Sequence, residues 1–507
     1  MAVRQAPAPL DERPVRPGLE GGKFKALSQR EMERVHETAL DLLEKIGLAD
    51  ATPEIVELVT AAGGTMSDTG RLHFPRALVE DIIASTRRGI VMAGFAPEHD
   101  MDVSGTKLYC GTGGAAPYIV DFETGDYRET VLADLYDIAR LVDTLDNIHF
   151  FWRTIVTRDM PTNLDLDINT VYACMSGTAK HIGASFVNAD NVAEAVDMFD
   201  VALGGEGRFR ERPFCTISCC HVVPPLRFAV DSCDALAMAV RRGMPVLLLS
   251  AGQAGATSPS ALAGSVVQAV AEVLAGLVYA NLISPECKTL FGTWPFVSDL
   301  RTGAMSGGSG EQAMLMAACG QMSTFYDLPS SIAAGMADSK IPDAQSGAEK
   351  GYTTVLAANS GVNLVQESAG MQASLLGTSF EGYVIDNDVL GAVQRTVRGI
   401  EVNDETLSFE VIKEVVTEGP GHYLGTDQTL SGMEKDYFYP LVGDRNTPTD
   451  WEELGATDVR ERAKDKVRET LAAHFPSHID EAIDQRIRER FNILLPRENM
   501  LPGNARW

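Results

Sequence analysis

Cysteine, histidine, aromatic residues and positive charge are all scarce in this sequence of 507 residues. It holds 8 Cys, 9 His and 7% aromatics, with 43 Lys and Arg against 70 Asp and Glu. Cysteines this few, without framework spacing, exclude a disulfide-stapled fold and fit reduced thiols, hence an expected cytoplasmic location. A formal net charge of −27 excludes a nucleic-acid binder, because a phosphate backbone seeks basic surface. Long apolar runs are missing as well. No stretch reaches the ~20 uninterrupted apolar residues of a membrane-spanning helix. The longest apolar region, 262–283, is broken by Ser265, Gln268, Glu272 and Asn281 and reads as a buried helix. Residues 1–22 are rich in Pro, Arg and Gly and lack an apolar signal-peptide core. The expectation is a flexible arm over 1–24, with no membrane association.

What is present suits a globular protein with a large core: 45% hydrophobic and 22% charged residues. The capping pattern Ser28-Gln-Arg-Glu31 opens a helix that Gly47 stops. Glu123-Thr-Gly125-Asp126 between apolar-alternating arms reads as a β-hairpin turn. Residues 25–147 are therefore expected to form an N-terminal α+β cap. From 148 onward, apolar strands alternate with longer helical segments. Candidate strands are 148–156, 181–187, 214–223, 245–250, 288–296, 331–336, 363–367 and, most weakly marked, 382–385. Their count and spacing match a TIM (β/α)8 barrel over 148–402, with an open doubly wound sheet as the alternative. Residues 403–507 turn charged and helical, forming a C-terminal helical appendage.

Active residues of such barrels sit past the C-terminal ends of the strands. Here those ends carry His221, Gly292-Thr-Trp294-Pro-Phe296, Asp338-Ser-Lys340 and Gln366-Glu367. Trp152, Trp294, Phe296 and Tyr109 could form an aromatic cage for a quaternary ammonium, which has no N–H and is held by ring faces. Their alternative role is packing of the barrel mouth. Cys215, Cys219 and His221 share one strand face, while Cys220 points the other way. Three such ligands could hold zinc, although no second ligand pair supports them; His221 reads more economically as a donor to substrate. Lys340 could pair a substrate carboxylate that Asp338 or Gln345 orients, or all three could belong to a salt-bridged loop. Glu367 ends an otherwise apolar strand, where a carboxylate needs a partner or a cationic ligand.

The run from Gly335 to Lys350, with Gly113-Gly-Ala-Ala-Pro117, Thr178-Ala-Lys-His181, Ile385-Asp-Asn-Asp388 and Gly419-Pro-Gly-His-Tyr-Leu424, closely resembles the trimethylamine:corrinoid methyltransferase family. The resemblance covers about residues 25 to 490. It implies a TIM barrel that passes a methyl group to a cobalt corrinoid (cobalamin) carried by a separate partner protein, with no tightly bound cofactor of its own. One departure matters. Archaeal trimethylamine enzymes of the family carry pyrrolysine just before the Asp-x-Lys element, where this sequence has Met336 and Ala337. That points to the pyrrolysine-lacking branch, which resembles glycine betaine methyltransferase. A quaternary amine already has a neutral tertiary amine as its leaving group and needs no covalent activation.

The expected function is methyl transfer from glycine betaine to a Co(I) corrinoid. Trp152, Trp294, Phe296 and Tyr109 would cage the cation; His221, Lys340 and Gln345 would receive the carboxylate. Glu367 and Asp338 are the candidate catalytic carboxylates. Trimethylamine, carnitine, proline betaine or a sulfonium betaine are alternative donors, and a non-catalytic betaine-binding module that docks the corrinoid protein is the alternative class. A homo-oligomer is expected. The acidic field makes docking of the partner salt-dependent.

Overall fold

The computed structural model describes residues 9, 13, 16–504, 506 and 507. Eight parallel strands form its centre: β1 (Lys107–Cys110), β2 (Phe150–Trp152), β3 (His181–Ala184), β4 (Cys215–Cys219), β5 (Val246–Ser250), β6 (Thr289–Thr293), β7 (Ser330–Ala333) and β8 (Leu364–Gln366). The sheet closes on itself. β8 pairs with β1 through Leu364↔Tyr109 and Val365↔Cys110, and β1 reaches β2 through a parallel bridge, Gly111↔Phe150. Parallel strands are covered on both faces, so they read as apolar runs such as Val246-Leu-Leu-Leu-Ser250, all five residues buried.

A helix follows each strand: α1 (Leu132–Asp143), α2 (Asn163–Gly177), α3 (Ala189–Ala202), α4 (Val230–Arg242), α5 (Leu262–Ile283), α6 (Gly310–Tyr326), α7 (Ala344–Ala358) and α8 (Phe380–Arg398). The barrel is therefore as expected, with two differences at its seam. Residues 382–385 are not a strand but part of α8, whose start is capped by Ser379 accepting from the Gly382 N–H. A short apolar run suits a buried helix turn as well as a strand. The missing strand is β1, inside the stretch read as cap. Only four residues long and running straight into glycines, it gives little periodic signal.

The amphipathic helix Gln29–Lys45 opens with the expected capping box of Ser28 and Glu31, and it packs against α5. α5 is long and apolar enough to cross a membrane, yet most of it is enclosed in the fold. Its four polar residues are buried and bonded inside the fold. Glu272, for example, accepts from the Leu226 N–H and from Ser250. The arm expected over 1–24 lies partly outside the described residues. In its described part Leu19–Glu20 is no free arm: it pairs antiparallel with β1, and the Phe24 N–H donates to Asn359 O.

The expected hairpin forms from Tyr118–Val120 and Tyr127–Glu129, and the loop after β8 adds Gly377–Thr378 and Met371–Gln372 to it. The result is a small sheet at the C-terminal end of the barrel. The chain then returns along the outside. Helix Val459–Ala473 packs on α8 and α1, where buried Arg140 donates to Leu471 O and His474 O. Arg506 and Trp507 both donate to Asp137 of α1, which fastens the last residues to the barrel.

Candidate active site

A cavity of about 190 Å³ opens among the C-terminal ends of the strands. β1 contributes Gly113, Gly114 and Ala115; β2 contributes Trp152 and Arg153; β3 gives Ala184 and Ser185; and β4 gives Ser218 and Cys220. Leu249, Ala251, Trp294 and Phe296 follow from β5 and β6, with Gln366, Glu367 and Leu375 from β8 and its loop.

The aromatic wall is held by hydrogen bonds to the protein itself. The Trp294 indole N–H donates to Ser331 O at 2.9 Å, and the Trp152 indole N–H donates to Ser218 Oγ at 2.6 Å. Both rings are therefore fixed, with their only donors occupied. What remains for a ligand is ring face and edge, which suits a cation that has no N–H to give. Phe296 is positioned by its backbone N–H, which donates to Gly252 O.

Glu367 is the acidic group of the cavity. Its residue is 4% exposed, its Oε2 has no hydrogen-bond partner, and its backbone sits at φ 60°. A left-handed conformation in a glutamate costs energy of order 1–3 kcal/mol and is characteristic of functional sites. Burial pushes its carboxyl pKa up to about 8, so the group is mostly neutral at pH 7. Gly113 makes room for it, since a β-carbon there would lie 3.1 Å from Glu367 Cγ. Cys220 is exposed toward the cavity; the protein packed around it and the nearby Glu367 push its thiol up to about 11, so it stays protonated.

Sequence reasoning brought Trp152, Trp294, Phe296 and Glu367 to one place, and the structure does too. Tyr109 lies elsewhere: its hydroxyl donates to Asp102 O at 3.3 Å and its ring stands edge-on to His149. The strand turns it toward Gly18, ahead of β1, rather than to the mouth. His221 is fully buried against α5, with Nε2 2.9 Å from Glu272 O, so it is no donor to the cavity. Lys340 is exposed and bends back to Asp338 O; Gln345 is exposed and donates to Glu349. Both sit outside the cavity because the loop after β7 turns outward into the cap of α7.

Asp338 does not line the cavity either. Its carboxylate accepts from Ser306 Oγ and Ser374 Oγ, each at 2.6 Å, and from the Gly308 N–H. It ties together the loops after β6, β7 and β8, including the one that supplies Leu375. Cys215 and Cys219 lie on β4 outside the cavity lining, and His221 lies two residues past the strand's end, against α5. Cys219 donates to Ser232 O, and among the described residues no group of three His, Cys, Asp or Glu is placed to hold a metal ion.

Arg153 and Ser218 line the cavity without having been named from the sequence, while Cys220 and Gln366, named there without a role, line it too. Arg153 was legible by the same rule that found Trp152, as the next residue past the end of β2.

The family model described as trimethylamine methyltransferase (MTTB) matches residues 5–492. A trimethylamine methyltransferase MttB of Desulfitobacterium hafniense is 30% identical over 93% of this chain and 94% of its own length. A glycine betaine methyltransferase of Desulfitobacterium hafniense is 27% identical over 92% of this chain and 96% of its own. Among solved structures, the monomethylamine methyltransferase MtmB of Methanosarcina barkeri shares the fold. Its TM-score is 0.54 at 12% identity, over 88% of this chain and 89% of its own.

Proposed function

We propose, from the premise that this chain belongs to the trimethylamine methyltransferase family, that it moves a methyl group from a quaternary amine, glycine betaine foremost, to the Co(I) corrinoid of a separate protein. The observation that carries the reading is the cavity itself. Two indoles and a phenyl ring present apolar surface, and one unpartnered carboxyl group, Glu367, reaches the same space. A trimethylammonium group is satisfied by ring faces, each contact contributing about 0.5–2 kcal/mol once desolvated. A nearby carboxylate completes the cation's surroundings.

The chain's own residues then act by placement. Trp152, Trp294 and Phe296 hold the trimethylammonium and keep water out; the roof fastened by Asp338 closes over it. Methyl transfer breaks one N–CH₃ bond, and the electron pair stays on nitrogen as a neutral tertiary amine leaves. The two-electron nucleophile comes with the acceptor protein. In favourable systems such positioning lowers the barrier by about 7–11 kcal/mol. Met336 and Ala337, at the place where the resemblance would put pyrrolysine, are buried apolar side chains, a thioether and a methyl, outside the cavity lining. They offer no group that could activate a smaller amine.

Trimethylamine is the second reading. Glu367, held neutral by burial, is able to give a proton to a tertiary amine, which would make it a better methyl donor. The test is a substrate panel with the purified protein and its reduced corrinoid protein. Glycine betaine is expected to methylate the acceptor, seen in its absorption spectrum, faster than trimethylamine. No methylation with any betaine would falsify the reading.

A further inference from the structure

Arg153 follows Trp152 at the end of β2 and lines the cavity. Its backbone is fixed, the N–H donating to Gly183 O at 2.8 Å. Its guanidinium makes no hydrogen bond or ion pair with any described residue. The contrast with Arg140 is sharp: that buried guanidinium is held by Asp137, Leu471 O and His474 O. Asp167 is the carboxylate whose charge favours the protonated Arg153, without forming an ion pair with it. Its Oδ2 already accepts from the Val187 N–H at 2.8 Å and from Asn191 Nδ2 at 2.7 Å. Burial weakens the charged state of Arg153, yet an arginine stays protonated in a protein. A guanidinium without a hydrogen-bonded partner at a partly desolvated wall calls for an anion, and its fork matches a carboxylate with two parallel hydrogen bonds.

Glu367 is not that anion: its Oε2 has no hydrogen-bond partner, and it forms no ion pair with Arg153. The cavity thus carries a carboxyl group on its β8 side and a guanidinium on its β2 side, neither satisfied by the other, with indole rings between. A ligand that answers both is a zwitterion. A bare cation leaves Arg153 unmatched, and a simple anion leaves the rings and Glu367 unused. The cavity volume of about 190 Å³ is below the ~300–1,000 Å³ of drug-sized sites, so the two charges of the ligand lie close together.

We infer that Arg153 receives the carboxylate of the substrate and restricts this site to short onium acids. The inference rests on the proposed function and goes further by assigning a specificity residue. A site built to bond a polar group rejects analogues lacking it by far more than a missing methylene costs, because its own polar group stays unpaired.

Calorimetric binding of glycine betaine, choline and acetate to the wild-type protein, R153K and R153M decides it, since binding needs no acceptor protein. The wild type is expected to bind glycine betaine at least ~100-fold more tightly than choline, with acetate competing for glycine betaine. In R153M the preference should collapse, with choline bound as well as before or better, and acetate should no longer compete. R153K, with charge but no fork, should fall between. Retained choline binding by R153M shows that the variant is folded; if R153M binds nothing, the order of R153K between wild type and no preference serves instead. A preference unchanged in R153M and R153K overturns the assignment, and so does wild-type protein that binds choline as tightly as glycine betaine. Tight glycine betaine binding without methyl transfer would sink the function while leaving Arg153 in its role.

Discussion

The indole of Trp152, on β2, lies across Gly183 of β3 to donate a 2.6 Å hydrogen bond to Ser218 Oγ on β4. Gly183 is what permits this span. A β-carbon at 183 would fall 2.1 Å from the ring, a distance at which the ring itself must move. Gly183→Ala should therefore expel Trp152 from the cavity wall and weaken glycine betaine binding by ten-fold or more. Ser218→Ala keeps the ring in place but leaves a buried N–H without acceptor, which costs about 1–3 kcal/mol. Urea unfolding should show that loss as a lower midpoint at unchanged slope.

Trp294 allows the aromatic contribution to be separated from the hydrogen bond. Its N–H is committed to Ser331 O, so its face alone is left for a ligand. Trp294→Phe keeps a smaller face and should lose only a few-fold in affinity. Trp294→Ala removes it, and loss of about 0.5–2 kcal/mol corresponds to a roughly 2- to 30-fold weaker Kd. Calorimetry on both variants measures the difference. Equal affinities for Phe and Ala at 294 would remove this ring from the cation's contacts.

Glu367 gives the site a pH dependence whose sign follows from its burial. Its folded pKa of about 8 lies above the ordinary carboxylate value. The folded chain therefore holds a proton that the unfolded chain releases, and this group's contribution to stability falls as pH rises from about 4.5 to 8. Binding runs the other way. A quaternary cation favours the carboxylate, so affinity should improve with rising pH, by up to about ten-fold per unit, and level off above about 8. Glu367→Gln should flatten that profile. A wild-type profile already flat between pH 6 and 8 would show that Glu367 does not meet the cation's charge.

The barrel was legible because its strands are short apolar runs set between longer amphipathic helices, a pattern that survives without any knowledge of the site. Its seam was not. β1 is four residues ending in glycines, and the start of α8 is an apolar turn that mimics a strand. In the site, residues whose chemistry acts directly from a strand end, such as Trp152, Trp294, Phe296 and Glu367, were readable. Lys340, Gln345 and Asp338 were misplaced because a loop's direction depends on the caps and bonds it makes, here Asp338 to Ser306 and Ser374. His221 was misplaced because α5 supplies an acceptor, Glu272 O, that no local pattern shows. Arg153 was not named although it follows Trp152 at a strand end, and only the structure shows that its guanidinium has no hydrogen-bonded acid.

The longest family-like run ends in Lys350, and its role is structural. Lys350, on α7, forms a buried ion pair with Asp386 of α8, and the same Asp386 oxygen accepts from the Gly370 N–H at 2.7 Å. Gly370 begins the loop that brings Met371 against Gly114 and Leu375 over the cavity. Burial disfavours the charged form of Asp386, and Lys350, with the Gly370 N–H, opposes that. Lys350→Met should strand the carboxylate and destabilise the fold by about 3–5 kcal/mol, the cost of breaking one partner of a buried pair. Adding Asp386→Asn should recover much of that loss, since an amide can still accept from Gly370 without carrying charge. The two variants should also differ in the site. A loosened loop in Lys350→Met raises KM for glycine betaine, and the double variant restores it. If stability returns in the double variant while KM stays high, the link from this ion pair to the cavity roof is broken, and Lys350 serves the barrel alone.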